Sequence, residues 1–131
     1  MMKTYKTLKG ECLCGQVSWE MTGPYKFFGM CQCSRCRKVT GAAFATNLFM
    51  KSDQFKWLSG KENVDEYVMK PPNTFGNAFC KNCGSRVPRF SAGRGWMMAP
   101  LGSTMEAPNI KPTLVCAEDH TNWFTRLEEL L

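Results

Sequence analysis

The sequence predicts a small, mainly β domain that is pinned by metal ions, and three observations support this prediction. Short segments with strand character follow one another, separated by Gly and Pro. Helical periodicity is scarce, and strands do not alternate with helices as they would in an α/β fold. Most of the eight cysteines stand in tight groups. With 131 residues, the chain is expected to form a single domain over residues 1–131.

The strand predictions rest on alternating apolar and polar residues. Val17, Trp19 and Met21 alternate with polar neighbours, which is typical of a half-buried strand. Segments 55–58 and 64–69 flank a short polar stretch that contains one Gly, and they are predicted to form a hairpin. Further strands are predicted over 74–79, 86–90, 95–101 and 113–117, and helical turns only over 34–40 and 122–131.

Two cysteine pairs have the spacing of metal ligands rather than of disulfides. A tetrahedral zinc ion takes two thiolates from a single turn of chain. Cys12 and Cys14 are placed on one face of the first strand, and Cys80 and Cys83 form a turn in which Gly84 lets the chain bend beneath the metal. We therefore predict a closed, structural zinc site on these four cysteines. The alternative is reduced thiols or an adventitious disulfide.

The middle cluster supplies Cys31, Cys33 and Cys36. Three protein ligands with one open position are typical of a catalytic zinc. Two alternatives remain open: Cys116 could be a fourth ligand, or the three thiols could be redox-active without metal. Cys116 follows the apolar segment 112–115, which indicates a buried strand that carries a small apolar thiol.

The formal net charge of +6 fits an anionic small substrate, nucleic acid, or simply a solvated basic surface. Arg35, Arg37 and Lys38 flank the middle cluster and could receive a carboxylate. No segment approaches the roughly 20 apolar residues that cross a bilayer. The first ten residues lack the apolar core of a signal peptide, so a cytoplasmic location with reduced cysteines is expected.

Three motifs, in this order, resemble the glutathione-dependent formaldehyde-activating enzyme family, which also includes centromere protein V. They are Gly10-x-Cys12-x-Cys14-Gly15-x-Val17, Cys31-x-Cys33-Ser34-x-Cys36-Arg37-Lys38-x-x-Gly41-Ala42-Ala43-Phe44 and Phe79-Cys80-x-x-Cys83-Gly84-Ser85. The resemblance implies an Mss4-like, mainly β fold with two zinc ions per chain. It implies a structural zinc on Cys12, Cys14, Cys80 and Cys83 and a catalytic zinc on Cys31, Cys33 and Cys36.

Two positions depart from the family pattern. The family usually has His between the first two cysteines of the middle cluster, where this sequence has Gln32. A His-containing strand expected near residue 115 reads Leu114-Val115-Cys116-Ala117 here. The only His, His120, is expected to be a surface or packing residue rather than a ligand or general base.

The predicted function is that of a zinc-dependent carbon–sulfur lyase-like enzyme. The resemblance implies that it joins glutathione and formaldehyde into S-hydroxymethylglutathione and runs the reverse cleavage, so its partner is a small thiol or its aldehyde adduct. The alternative is a zinc-ribbon-like binding module with two structural zincs and no catalysis. A third hypothesis is a metallochaperone or thiol-redox role. Nucleic acid and membrane are not expected partners, and the sequence is compatible with a homo-oligomer.

Overall fold

Eleven β-strands and one complete α-helix lie within residues 5–104 and 106–124, the residues described by a computed structural model. The strands are β1 Thr7–Glu11, β2 Ser18–Thr22, β3 Phe27–Cys31, β4 Ala45–Met50, β5 Phe55–Ser59, β6 Val64–Val68, β7 Gly76–Cys80, β8 Arg86–Val87, β9 Arg89–Ser91, β10 Trp96–Pro100 and β11 Thr113–Val115. The helix is α1, Ser34–Thr40, and single 3₁₀ turns span Ser52–Gln54, Lys61–Asn63, Leu101–Ser103 and Ala117–Asp119. The prediction of a mainly β fold with few short helices is confirmed.

The strands form three sheets. Strands β1, β2 and β5 make one sheet, strands β6, β7 and β8 make a second, and the third has the order β11-β3-β4-β10-β9. All paired neighbours are antiparallel except β11, which runs parallel to β3 at the edge of the five-stranded sheet. Of the residues described, no helix is long and apolar enough to cross a membrane.

The core is centred on Trp19 of strand β2, whose inward alternation was predicted from the sequence. Trp19 and Met21 are fully buried. The Trp19 indole meets the Trp57 ring edge to face, with centroids 6.3 Å apart. Opposite Trp19 on β1 stands Gly10, and a Cβ placed at Gly10 would lie 2.6 Å from the indole. The absence of a side chain at residue 10 therefore lets the indole lie flat against β1.

We expect the Gly10→Ala variant to be destabilised by about 2–3 kcal/mol, because a fully buried indole cannot move away from the added methyl group. Urea unfolding of the metal-loaded protein measures this effect. Gly102→Ala is the matched control, since a Cβ at Gly102 meets nothing within 4 Å. Equal stabilities of the two variants would contradict the expectation.

The hairpin predicted between segments 55–58 and 64–69 is wrong. Strand β5 pairs with β2, whereas β6 pairs with β7 in a different sheet. The cause is local: the intervening residues form the 3₁₀ turn Lys61–Asn63 after a left-handed Gly60, and this turn redirects the chain between the sheets. Two apolar segments with a short polar connection were thus correctly predicted as strands but wrongly paired.

The single strand predicted over 86–90 is divided at Pro88. Strand β8 pairs with β7, and β9 pairs with β10 of the five-stranded sheet. Proline has no N–H to donate to a strand neighbour, so it suits the point at which the chain leaves one sheet for another. This crossing places Arg86 and Arg89 between two sheets. Of the helix predicted over 122–131, residues 122–124 are helical and residues 125–131 lie outside the described part.

Candidate active site

Two similar turns bring together the four cysteines of the predicted structural zinc site. The turn after β1 carries Cys12 and Cys14, and the turn between β7 and β8 carries Cys80 and Cys83. In each turn a glycine with φ near +78° follows the second cysteine, Gly15 at 79° and Gly84 at 76°, a conformation that residues with a side chain rarely adopt. The Gly84 N–H donates to the Cys80 carbonyl over 2.8 Å. The predicted turn at Gly84 is present, but Cys12 and Cys14 lie in a turn and not on a strand.

The four sulfur atoms of these turns, here called the thiol tetrad, fit a tetrahedral metal. All four lie within 4.8 Å of one another. The Cys12 and Cys14 sulfurs are 3.5 Å apart, and those of Cys14 and Cys80 are 3.8 Å apart. Four thiolates around a zinc ion, with Zn–S bonds of about 2.3 Å, would be separated by about 3.8 Å. All eight cysteines are free thiols, so the alternative of a disulfide is not found.

Hydrogen bonds prepare part of the tetrad for metal. Ser85 lies between the two turns: its Oγ accepts from the Leu13 N–H at 2.9 Å and lies 3.3 Å from the Cys83 sulfur. Hydrogen bonding by the Ser85 side chain lowers the pKa of Cys83 to about 5, whereas burial raises the pKa of Cys12 to about 11. A metal that binds all four as thiolates must therefore displace the proton of Cys12.

A second group, here called the thiol trio, lies at the end of β3 and the start of α1. Cys31 ends β3, Cys33 is the residue that precedes α1, and Cys36 lies in the first helical turn. Their sulfurs lie within 4.8 Å of one another. The Cys36 N–H donates to the Cys33 sulfur over 3.4 Å, so the capping of the helix and the clustering of the thiols depend on one side chain.

The three thiols of the trio differ in acidity. Burial raises the pKa of Cys31 to about 12, and burial also raises that of Cys36. Burial acts in the same direction on Cys33, but hydrogen bonds from the Cys36 N–H and from the neighbouring thiols outweigh it and lower its pKa. Cys33 is therefore the member of the trio that most readily becomes a thiolate.

The trio opens into a cavity of about 270 Å³, close to the lower end of the range, about 300 Å³, for small-molecule pockets. Its walls combine three kinds of side chain. The thiols are Cys31, Cys33, Cys36 and Cys116, the cations are Arg35, Arg86, Arg89 and Arg94, and the aromatic rings are Phe27, Phe49 and Phe75. A concave site that combines thiols, arginines and aromatic rings suits a small anionic ligand.

The four arginines of the cavity differ in how free they are. Arg35 and Arg94 are exposed and lie over the rings of Phe75 and Phe49, with 5.7 Å and 5.5 Å between guanidinium carbon and ring centroid. Arg89 is largely buried, and its Nε donates to Glu66 over 3.0 Å. Arg86 donates hydrogen bonds to the side-chain oxygens of two asparagines. Arg35 and Arg94 are thus the cations most available to a ligand.

Comparison with known proteins identifies the family of this chain. The sequence profile described as glutathione-dependent formaldehyde-activating enzyme matches residues 7–121. The chain belongs to this family. No curated protein gives a significant match. Among solved structures, the crystal structure of a Rhodobacter sphaeroides protein is similar, with a TM-score of 0.61 and 21% identity over 79% of this chain and 97% of that chain. At this identity the likeness concerns the fold alone.

In this member of the glutathione-dependent formaldehyde-activating enzyme family, the residues flanking the trio have divided roles. Of the three basic residues predicted to receive a carboxylate, only Arg35 lines the cavity. Arg37 donates from its Nε to the Gln32 carbonyl over 3.0 Å. The segment 41–44 does not line this cavity, and the Gly41 N–H donates to the Arg37 carbonyl at the end of α1.

Cys116 lies beside the trio, directly after strand β11 and not within a strand as predicted for 113–117. Strand β11 ends at Val115 and is mostly exposed, so the prediction of a buried strand is wrong. It is an edge strand that pairs with β3 on one side, and the side chains of Thr113 and Leu114 are exposed. Cys116 itself has a φ of 55°, lines the cavity and borders Cys31. The only His, His120, is exposed and is not among the residues that line the cavity.

Proposed function

We propose that the chain is a zinc-dependent enzyme of carbon–sulfur bond chemistry that forms and cleaves S-hydroxymethylglutathione, the adduct of glutathione and formaldehyde. The observation that carries this proposal is the cavity in which three clustered thiols face arginine side chains. Three thiol ligands leave a coordination position free for a substrate, and arginines suit a thiol that carries carboxylates. The family to which the chain belongs bears the name of this reaction.

In this proposal the two thiol groups hold two zinc ions with different tasks. Cys12, Cys14, Cys80 and Cys83 hold a structural zinc, and Cys31, Cys33 and Cys36 hold a zinc with an open position. When bound at the trio, zinc supplies a Lewis acid that stabilises a thiolate or polarises an aldehyde oxygen. The identity of the metal as zinc is supported by the all-thiol donor sets, which suit soft or borderline ions.

The walls of the cavity bind and orient the substrates. Arg35 and Arg94 bind the carboxylates of glutathione, and the rings of Phe49 and Phe75 keep both guanidinium groups in place. In the forward direction a sulfur–carbon bond forms between the thiol and the aldehyde carbon, and the thiol proton ends on the former carbonyl oxygen. Cleavage reverses these changes, so the reaction needs no oxidant or reductant.

The cavity also favours a small molecule over nucleic acid as the partner. Its four arginines line a concavity of about 270 Å³ instead of forming an exposed basic stripe. A cytoplasmic location, which keeps thiols reduced, is part of the same proposal, as is the assignment of residues 1–131 to one domain.

The proposal is tested by elemental analysis followed by an adduct assay. We expect about two zinc ions per chain and, by NMR, faster formation of S-hydroxymethylglutathione than in buffer. Cysteamine, a thiol without carboxylates, should react with a kcat/KM at least about 100-fold lower, since two charge-assisted hydrogen bonds are lost. Two zinc ions with no acceleration would favour a binding module with structural zincs. Equal rates for both thiols would contradict the role given to the arginines.

A further inference from the structure

Arg86 is a partly buried cation that has no carboxylate partner among the residues that the structure describes. Within residues 5–104 and 106–124, the ion pairs are Lys6 with Glu106 and Arg89 with Glu66. Arg86 instead donates from Nε to the Asn77 side-chain oxygen over 2.9 Å and from Nη1 to that of Asn47 over 3.0 Å. Burying a charge without a counter-charge costs free energy, so a nearby group is expected to balance the charge of Arg86.

Asn47 connects Arg86 to the thiol trio. Asn47 is buried on the central strand β4, and its Nδ2 lies 3.9 Å from the Cys36 sulfur. Because a guanidinium group only donates hydrogen bonds, Arg86 determines which end of the Asn47 amide is the oxygen. The amide nitrogen is thereby directed at Cys36. Arg86, Asn47 and Cys36 thus form one continuous polar chain that borders the cavity.

The thiols of the trio are the acidic groups at the opposite end of this polar chain from Arg86. Burial lowers the pKa of Arg86, and the charges of the Cys36, Cys31 and Cys33 thiolates act on Arg86 in the opposite direction. Three thiolates around a divalent ion carry a net charge of −1, and an added substrate thiolate makes it −2. A guanidinium group stays protonated at neutral pH and is a suitable permanent counter-charge for such a centre.

We propose that Arg86 and Asn47 are positioning residues of the thiol trio: Arg86 balances the negative charge of the metal-bound thiolates, and Asn47 orients Cys36. The proposal rests on the proposed function in that it requires a metal at the trio. It differs from the role of Arg35 and Arg94, which are exposed and bind the substrate. Polar partners of metal ligands generally tune both the geometry of the ligands and the affinity for the metal.

The test compares zinc affinity at the trio in protein whose tetrad is loaded, by competition with a chromophoric chelator. We expect the Arg86→Met variant to bind zinc at the trio about 10- to 100-fold more weakly than the natural chain. Arg86→Lys, which keeps the charge, should recover most of this loss. Arg94→Met is the matched control, since it removes an equal charge from the same cavity, and its zinc affinity should stay within about twofold of the natural value.

Asn47→Ala provides a second measurement that does not depend on the folding of Arg86→Met. Its zinc affinity should fall about tenfold, and the double variant should bind no more weakly than Arg86→Met alone, because both residues act on one polar chain. Cobalt bound at the trio should show a shifted absorption spectrum in both single variants. Unchanged affinity and spectrum in Arg86→Met and Asn47→Ala would overturn the proposal.

The outcomes separate this proposal from the proposed function. Weaker zinc binding in the variants, together with no adduct activity in the natural chain, would support Arg86 as a counter-charge and reject the enzyme. Adduct activity with unchanged zinc affinity in the variants would support the enzyme and reject the role of Arg86. A natural chain that binds zinc at the tetrad alone would reject both.

Discussion

The Cys80→Ser variant is expected to be largely unfolded at 25 °C and to hold fewer zinc ions than the natural chain. Cys80 is fully buried at the end of β7, and its sulfur belongs to the tetrad that joins the turn after β1 to the β7–β8 turn. A structural zinc contributes about 10 kcal/mol or more, which is comparable with the whole stability of a domain, about 5–15 kcal/mol. Circular dichroism during heating and elemental analysis measure the effect.

The control for this variant is Cys116→Ser, which makes the same chemical change outside both thiol groups. Cys116→Ser should unfold cooperatively, with a stability within about 1 kcal/mol of that of the natural chain. If Cys80→Ser were to keep two zinc ions and the natural melting temperature, the tetrad would not be a structural metal site.

Replacing Cys33 by alanine should lower kcat/KM for S-hydroxymethylglutathione formation by at least about 1,000-fold, or about 4 kcal/mol of transition-state stabilisation. Cys33 is the most acidic thiol of the trio and accepts the Cys36 N–H, so its loss removes both a ligand and a contact that orders the start of α1. The zinc content should fall from about two to about one per chain. Enzyme kinetics and elemental analysis on the same preparation check both numbers.

For Cys33→Ala, cooperative thermal unfolding should be retained, because the tetrad remains intact. His120→Ala is the matched control for activity: His120 is exposed and its Nδ1 lies 2.9 Å from the Ala117 carbonyl oxygen, outside the cavity. His120→Ala should keep its full rate. A fully active Cys33→Ala protein would be incompatible with an open metal site on the trio.

The sequence predicted the cysteine groups well because metal ligation is local in its demands. Two thiols separated by one or two residues can reach one ion whatever the rest of the fold does, and Gly84 must follow them for the chain to turn. The helical turn predicted over 34–40 is confirmed as α1, which starts directly after Cys33. Period-two alternation located Trp19 and Met21 in the core.

The sheet arrangement and half of the cavity could not be predicted in this way. Strand β4 is buried on both faces over most of its length and therefore lacks alternation, so Ala45–Met50 carries no strand signal and Asn47 was missed. Arg86, Arg89 and Arg94 lie about 50 residues or more from the trio in sequence, and the packing of the sheets brings them into the same cavity. The available signal was that Arg86 follows Cys83 by three residues, but sequence spacing does not show which face of its strand Arg86 occupies.

Because of the crossing at Pro88, the chain passes from the tetrad to the wall of the trio's cavity within the few residues from Cys83 to Arg89. Cys83 belongs to the tetrad, Arg86 borders the cavity of the trio, and Pro88 separates β8 from β9, which belong to different sheets. Because side chains alternate across a strand, one inserted residue would turn Arg86 to the opposite face. Anyone grafting the trio into another scaffold must also transplant this spacing, since the three cysteines by themselves would arrive without their counter-charge.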